Sequence, residues 1–402
     1  MTAPEQYAIA GVRLASACAG FSAANRPDLA LIELATGSST SLLTTRNTMV
    51  AAPVQVARAH WQQQGAQALE QPGYWLVNAL NANSATGAKG LQNARLCCSQ
   101  LADLAQVAAE SVLPFSTGVI GTPLDMPKLL PQLPVLFDGL SDSGWLACAR
   151  AIMTTDTEPK LSSKYLEIGG QPIRLTGVAK GVAMLNPNMA TTLCFTATDA
   201  GVEPSVLHRM HQRVLDGTIN RISIDGDTST NDCSALAATG RAAQLRRPNE
   251  LQALEEVLTE LYAELAEAMI RDAEGAQHVI EVRVEGGAST EVCRLVADTV
   301  ANSVLLKACL SASEPNWGRV LMAIGNSTSR VDFDQVSVWL GDVLAFDRGQ
   351  PAATYTEEAG FSALDVPRQL IRIDLGQGTA TDYALTSDLT QEYVRLNSEY
   401  RT

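Results

Sequence analysis

Four threonines fall within residues 184–201, MLNPNMATTLCFTATDAG, a stretch with no histidine and no charge before Asp199. A catalytic hydroxyl needs a base. The chain has four histidines, His60, His208, His211 and His278, and their scatter along the sequence makes a Ser-His-Asp arrangement a poor candidate. A threonine at a free N-terminus needs no histidine, because its own α-amine titrates near neutrality and can take the hydroxyl proton. Thr191 is internal as encoded. It would gain such an amine only if the chain cut itself between Ala190 and Thr191, its hydroxyl attacking the preceding carbonyl and water hydrolysing the ester. A small residue at 190 and a Pro-Asn turn just before it suit a strained, accessible bond. The same residues, TTLCFTAT, also fit an ordinary β-strand on propensity, and from this stretch alone both readings stand.

Other residue classes narrow the chemistry. SIDGDTSTND brings together Asp225, Asp227 and Asp232 but lacks the full calcium-loop spacing and its closing glutamate, so no metal is expected. The eight cysteines form no CxxC and no Cys/His ligand pattern, which reads as reduced, buried thiols of a cytosolic protein. A formal charge of −14 argues against nucleic acid or an anionic membrane as partner. No apolar run approaches the ~18 residues of a membrane span. Glu5 precedes the first apolar stretch and Arg13 interrupts it, against a secretory leader.

The elements that must position these groups follow from periodicity. DLALIEL (28–34) and YWLVNAL (74–80) read as buried strands, and residues 89–112 as a helix. A strand end breaking into a loop is expected at VLPFSTGVIGTPLDMP, and a short strand pair around YLEIGGQPIRLTGVAKG. After Pro248, leucines 251, 254, 258, 261 and 265 mark a long amphipathic helix. HVIEVRVEG (278–286) alternates as a half-buried strand should, and a helix is expected at about 290–303. Further strands are expected around 319–324 and at 336–342, 369–375 and 382–389. Grouped strands with intervening helices predict an α/β or α+β layered sandwich of mixed or antiparallel sheets.

GVAKGVAMLNPNMATTLCFTATDA resembles the self-processing segment of the ornithine acetyltransferases, the glutamate N-acetyltransferase family of arginine biosynthesis. Further matches run in order along the chain: DLALIEL…TTRNTMVAAPV, LPFSTGVIGTPL, AIMTTDTEPK, RISIDGDTSTNDC, EPNWGR and the terminal YVRLNSEYRT. The resemblance implies a fold of the N-terminal-nucleophile type with a smaller C-terminal α/β portion. It implies self-cleavage into an α chain, 1–190, and a β chain, 191–402, that stay together, with two of each in a heterotetramer. Thr191 would carry the acetyl group from N-acetylornithine to glutamate in ping-pong fashion. STGVIG would supply the oxyanion donors, the Thr117 hydroxyl and the Gly118 amide. Thr154 and Lys180 match substrate-binding positions, Glu274 would hold the substrate amino group, and Asn397 and Thr402 match the terminus that closes the pocket. No cofactor is implied, although some members also take acetyl from acetyl-CoA.

Departures fall around the pocket. GVAMLNP, AEGAQH, NALNANSATG and YALTSDL replace the family's commoner GSGMIAP-like run, GEGATK, NSGNANAGTG and AWTCDL. They bear on acceptor choice and leave the nucleophile, oxyanion and cleavage positions intact. Two other readings fit the same sequence: a related self-processing threonine hydrolase that gives the acyl group to water, and a non-catalytic paralogue that is never cut.

Overall fold

The computed structural model describes residues 6–24, 26–65, 67–186 and 192–399. Three sheets organise them. The first runs in the order Val12–Ala17, Leu29–Leu34, Gly73–Asn78, Val112–Ser116, with the last pair parallel and the others antiparallel. The second runs Ser39–Thr44, Cys233–Ala238, Leu193–Thr198, Gln171–Lys180, Lys160–Ile168. Its strands pair antiparallel except Cys233–Ala238 with Leu193–Thr198, which is parallel.

The two sheets pack face to face. Their inner faces present apolar side chains to one core, Ile32, Trp75, Val77 and Phe115 from the first meeting Val178, Phe195 and Ala235 from the second. Phe195 sits at its centre, edge-on to Phe115 at 5.0 Å between ring centroids, a geometry worth about 1 kcal/mol beyond simple burial. On the outer face of the first sheet lies the helix Gly87–Ala105; on that of the second lie Pro204–Gly217 and Pro248–Arg271. The inner strands of these layers are covered on both sides, which is why Leu29–Leu34 and Leu193–Thr198 are continuously buried runs.

The third sheet has seven strands, all but one of them drawn from residue 279 onward. Its order is Gln350–Pro351, Val343–Asp347, Ser337–Leu340, Arg368–Asp374, Val279–Gly287, Ala380–Ser387, Ile222–Ser223. One face packs on the helices Thr290–Ala301 and Trp317–Asn326. The layered mixed α/β sandwich expected from the grouping of strands is what the chain forms.

Two expected elements need correction. Residues 319–324 are helical, inside Trp317–Asn326: the Asn316 side chain caps the helix by accepting from the Arg319 amide, and Val320, Ala323 and Ile324 face the core at helical spacing. The run VLMAIG is too short for periodicity to separate strand from helix. The helix expected over 89–112 ends at Ala105, where Gln106 turns left-handed (φ 56°), and residues 112–116 form the strand Val112–Ser116.

Candidate functional site

Residues far apart in the sequence meet at one pocket, lined by Thr117, Gly118, Thr154, Lys180, Thr192 and Glu274 among others. The first sheet brings Thr117 and Gly118 there. The strand Val112–Ser116 ends at the pocket, and the chain folds back on residues 80–82: Thr117 N donates to the Asn78 carbonyl at 3.0 Å, and Val119 pairs with Leu80 and Ala82. Gly118 has φ 129°, and a Cβ there would lie 2.2 Å from the Leu80 carbonyl carbon. Only glycine allows this approach. Asparagines hold the loop from beneath. The Asn78 side chain donates to the Asn81 carbonyl, Ser116 Oγ donates to Asn78 Oδ1, and Asn231 donates to the Ser116 and Ala82 carbonyls.

The second sheet brings Lys180, the last residue of Gln171–Lys180. Its ammonium donates to Thr117 Oγ1 at 3.3 Å. Thr117 thus accepts from a cation, which leaves its own hydroxyl proton to be donated elsewhere. Burial lowers the pKa of Lys180, opposed by the carboxylates of Asp156, Asp232 and Glu274, while Lys160 adds to the lowering. Asp156 is itself enclosed. Burial alone would raise its pKa, but the ammoniums of Lys180 and Lys160 and the hydrogen bonds to it hold it down to about 2. Thr154 sits on this carboxylate, its amide donating to Asp156 Oδ2 at 3.0 Å.

Glu274 lies in the turn after the helix Pro248–Arg271, its amide bonded to the Val182 carbonyl at 3.0 Å. The C-terminal helix Gln391–Glu399 crosses this turn closely, since a Cβ on Gly275 would lie 2.5 Å from the Tyr393 amide. Asn397 Nδ2 then donates to Glu274 Oε2 at 2.8 Å, reaching the pocket through that carboxylate.

Ala190, Thr191 and Thr402 lie outside the described residues. The described flanks of 187–191 both line the pocket, Met184 on one side and Thr192 on the other. Thr192 is buried; its hydroxyl donates to the Lys180 carbonyl and its own carbonyl accepts from the Cys233 amide at 2.9 Å. Upstream, Asp225 accepts from the amides of Met184 and Leu185, and Asn186 donates to the Gly226 carbonyl. Asp225 therefore serves as a backbone acceptor. Among the described residues no group of three or more His, Cys, Asp or Glu side chains could hold a metal ion.

The sequence reading missed Asn81, Asp156 and Asn231. They act on backbone and on other side chains, and a single sequence marks Asn81 only by the density of asparagine in NALNAN and Asp156 only by the TTDT run, while nothing marks Asn231.

The ArgJ family model matches residues 13–402. The arginine biosynthesis bifunctional protein ArgJ of Methylococcus capsulatus is 44% identical over 398 residues, covering 98% of this chain and 96% of that one. The protein of the same name from Psychrobacter arcticus is 42% identical over 401 residues, with 98% and 97% covered. Among solved structures, the arginine biosynthesis bifunctional protein of Bacillus halodurans is 30% identical with a TM-score of 0.48, covering 50% of this chain and 96% of that one. Matched from residue 13 to its last residue, the chain belongs to the ArgJ family of arginine biosynthesis.

Proposed function

We propose that this ArgJ-family acetyltransferase moves the acetyl group of N2-acetylornithine to glutamate through an ester on Thr191, after cutting itself before that residue. The observation that carries the reading is the meeting of Met184 and Thr192, the two flanks of the threonine segment, with Thr117, Gly118, Lys180 and Glu274 at one pocket.

Cleavage is an acyl shift. Thr191 Oγ attacks the Ala190 carbonyl, the peptide nitrogen leaves as the Thr191 amine, and water hydrolyses the ester to free the Ala190 carboxylate. The products are an α chain of 1–190 and a β chain of 191–402. In turnover the amine takes the hydroxyl proton as Oγ attacks the acetyl carbonyl. Negative charge develops on the carbonyl oxygen, where the Thr117 hydroxyl and the Gly118 amide donate. The amine returns the proton to the leaving ornithine nitrogen. Glutamate's amine then attacks the ester and releases Thr191. Lys180 holds a substrate carboxylate as a point charge, Thr154 borders it, and Glu274, steadied by Asn397, holds the ornithine side-chain amine. Thr402 closes the pocket from the C-terminus.

The bifunctional name of the relatives supports a second donor, acetyl-CoA, for glutamate acetylation. The processed protein is read as a cytoplasmic heterotetramer of two α and two β chains. In keeping with this, no described helix is long and apolar enough to cross a membrane.

The test is denaturing gel electrophoresis with N-terminal sequencing. Wild type gives two fragments, the second beginning Thr-Thr-Leu-Cys, and Thr191→Ala remains a single inactive chain. Cleavage of Thr191→Ala at the same bond overturns the intramolecular mechanism. Equal deacetylation of N-acetylornithine with and without glutamate overturns transfer in favour of hydrolysis.

A further inference from the structure

Three charged side chains are buried together behind the pocket, and the mechanism above uses one of them. Asp156 has no exposed side-chain surface and Lys160 keeps 2% of its own. Lys180 lies beside them and is buried as well. Taking such charges out of water is expensive, and packed apolar residues would usually hold the fold as well or better. Their arrangement explains their presence. Asp156 Oδ1 accepts from Lys160 Nζ at 2.7 Å and from the Gly181 amide at 3.1 Å, immediately after Lys180 in the chain. Its other oxygen accepts from the Thr154 amide. Lys160 reaches on to Asp272, which also accepts from the Thr157 amide at 3.0 Å and stands two residues before Glu274. One carboxylate thus joins the Thr154 loop, the end of the strand Gln171–Lys180 and, through Lys160, the Glu274 turn.

We propose that Asp156 is a positioning residue for the acetyl transfer: through the Gly181 amide it fixes the end of the strand that carries Lys180, and it fixes the Thr154 backbone beside it. It touches no reacting atom and acts through Lys180. The inference rests on the transfer chemistry proposed above.

The charges facing Lys180 fix the signs of a test. They are Asp156 and Lys160 from the loop and strand beside it, Asp232 before the strand Cys233–Ala238, and Glu274 after the long helix. Asp156→Asn removes a facing negative charge while keeping the side chain's shape, so Lys180 loses its proton at lower pH. Lys160→Gln removes a like charge, so Lys180 keeps its proton to higher pH. A charge within about 4–6 Å moves such a titration by about 1–3 units.

The experiment is kcat/KM for transfer from N-acetylornithine to glutamate across pH 6 to 10, on processed wild type and both variants. The alkaline limb of Asp156→Asn is expected to fall by about one pH unit or more and that of Lys160→Gln to rise. Loss of packing alone moves both variants the same way or leaves both limbs in place, and either result overturns the proposal. If Asp156→Asn does not fold, the rise or absence of a rise in Lys160→Gln decides. An uncut, inactive wild type defeats the transfer chemistry itself. An active wild type with unmoved limbs in the variants defeats only the role of Asp156.

Discussion

Two buried polar clusters lie against the second sheet and differ in one decisive respect. At the end of the strand Gln171–Lys180, the cluster of Asp156, Lys160 and Lys180 is charged and opens on the pocket through Thr117. On the sheet's outer face, His211 Nδ1 meets Ser41 Oγ at 2.9 Å, and its Nε2 meets Ser234 Oγ at 2.8 Å and the Tyr262 hydroxyl at 3.2 Å. This second cluster holds a serine–histidine contact of catalytic length. Yet His211 and Tyr262 are sealed in the core, and burial drives the imidazole down to about 3 and the phenol upward, so both stay neutral. Ser41 Oγ also meets the partly exposed His208 at 2.9 Å, but a base held neutral inside the core is structural. The charged cluster bears the higher cost of burial and faces a space a substrate can enter.

The largest expected effect that sharpens this contrast is Gly118→Ala. The added Cβ would meet the Leu80 backbone at 2.2 Å, displacing the proposed oxyanion amide and lowering kcat of the processed enzyme by about 10²–10³-fold. A kcat within threefold of wild type removes Gly118 from the site. Next is Lys180→Met, which takes away the pocket's buried cation. KM for N-acetylornithine should rise roughly 10- to 100-fold, the worth of a charge-assisted hydrogen bond, and an unchanged KM would assign the carboxylate to another group.

The smallest kinetic effect is expected at the sealed cluster. His211→Leu should leave kcat/KM within about twofold while costing about 1–3 kcal/mol of stability, because Ser41 and Ser234 lose a partner. A tenfold loss of activity without loss of stability would erase the distinction between the clusters. The pH dependence has a definite sign. His211 titrates near 3 when folded, against an ordinary 6.5, so its contribution is whole above pH 6.5 and drains away as pH falls from there toward 3. The Tm of wild type should fall as pH drops through that window, and that of His211→Leu should fall less.

Periodicity made the long helix Pro248–Arg271 and the strand Val279–Gly287 legible, because each shows one wet face and one dry one. It failed at Trp317–Asn326, where a short apolar run left only the Asn316 cap to separate helix from strand. Sheet order was not legible. The parallel pairing of Leu193–Thr198 with Cys233–Ala238 is set by packing across long stretches of chain, not by local pattern. The site divides similarly. Thr117, Gly118, Thr154, Lys180 and Glu274 were reached through the family resemblance, and the structure brings them to one pocket. Asp156 and Asn231 act on other parts of the protein, and such roles appear only once the neighbours are in place.

The make-up of the second sheet would set the order of events in the proposed self-cleavage. Three of its strands precede residue 190 and two follow it, interleaved so that Leu193–Thr198 lies between Cys233–Ala238 and Gln171–Lys180. A strand in that place is held from both sides, so on the proposed mechanism the molecule would be assembled before its bond is broken. Each molecule so cut would keep its own two halves in equal number. Partners cannot be traded between molecules without dismantling a shared sheet, and mixing separately made halves should restore activity only by refolding them together.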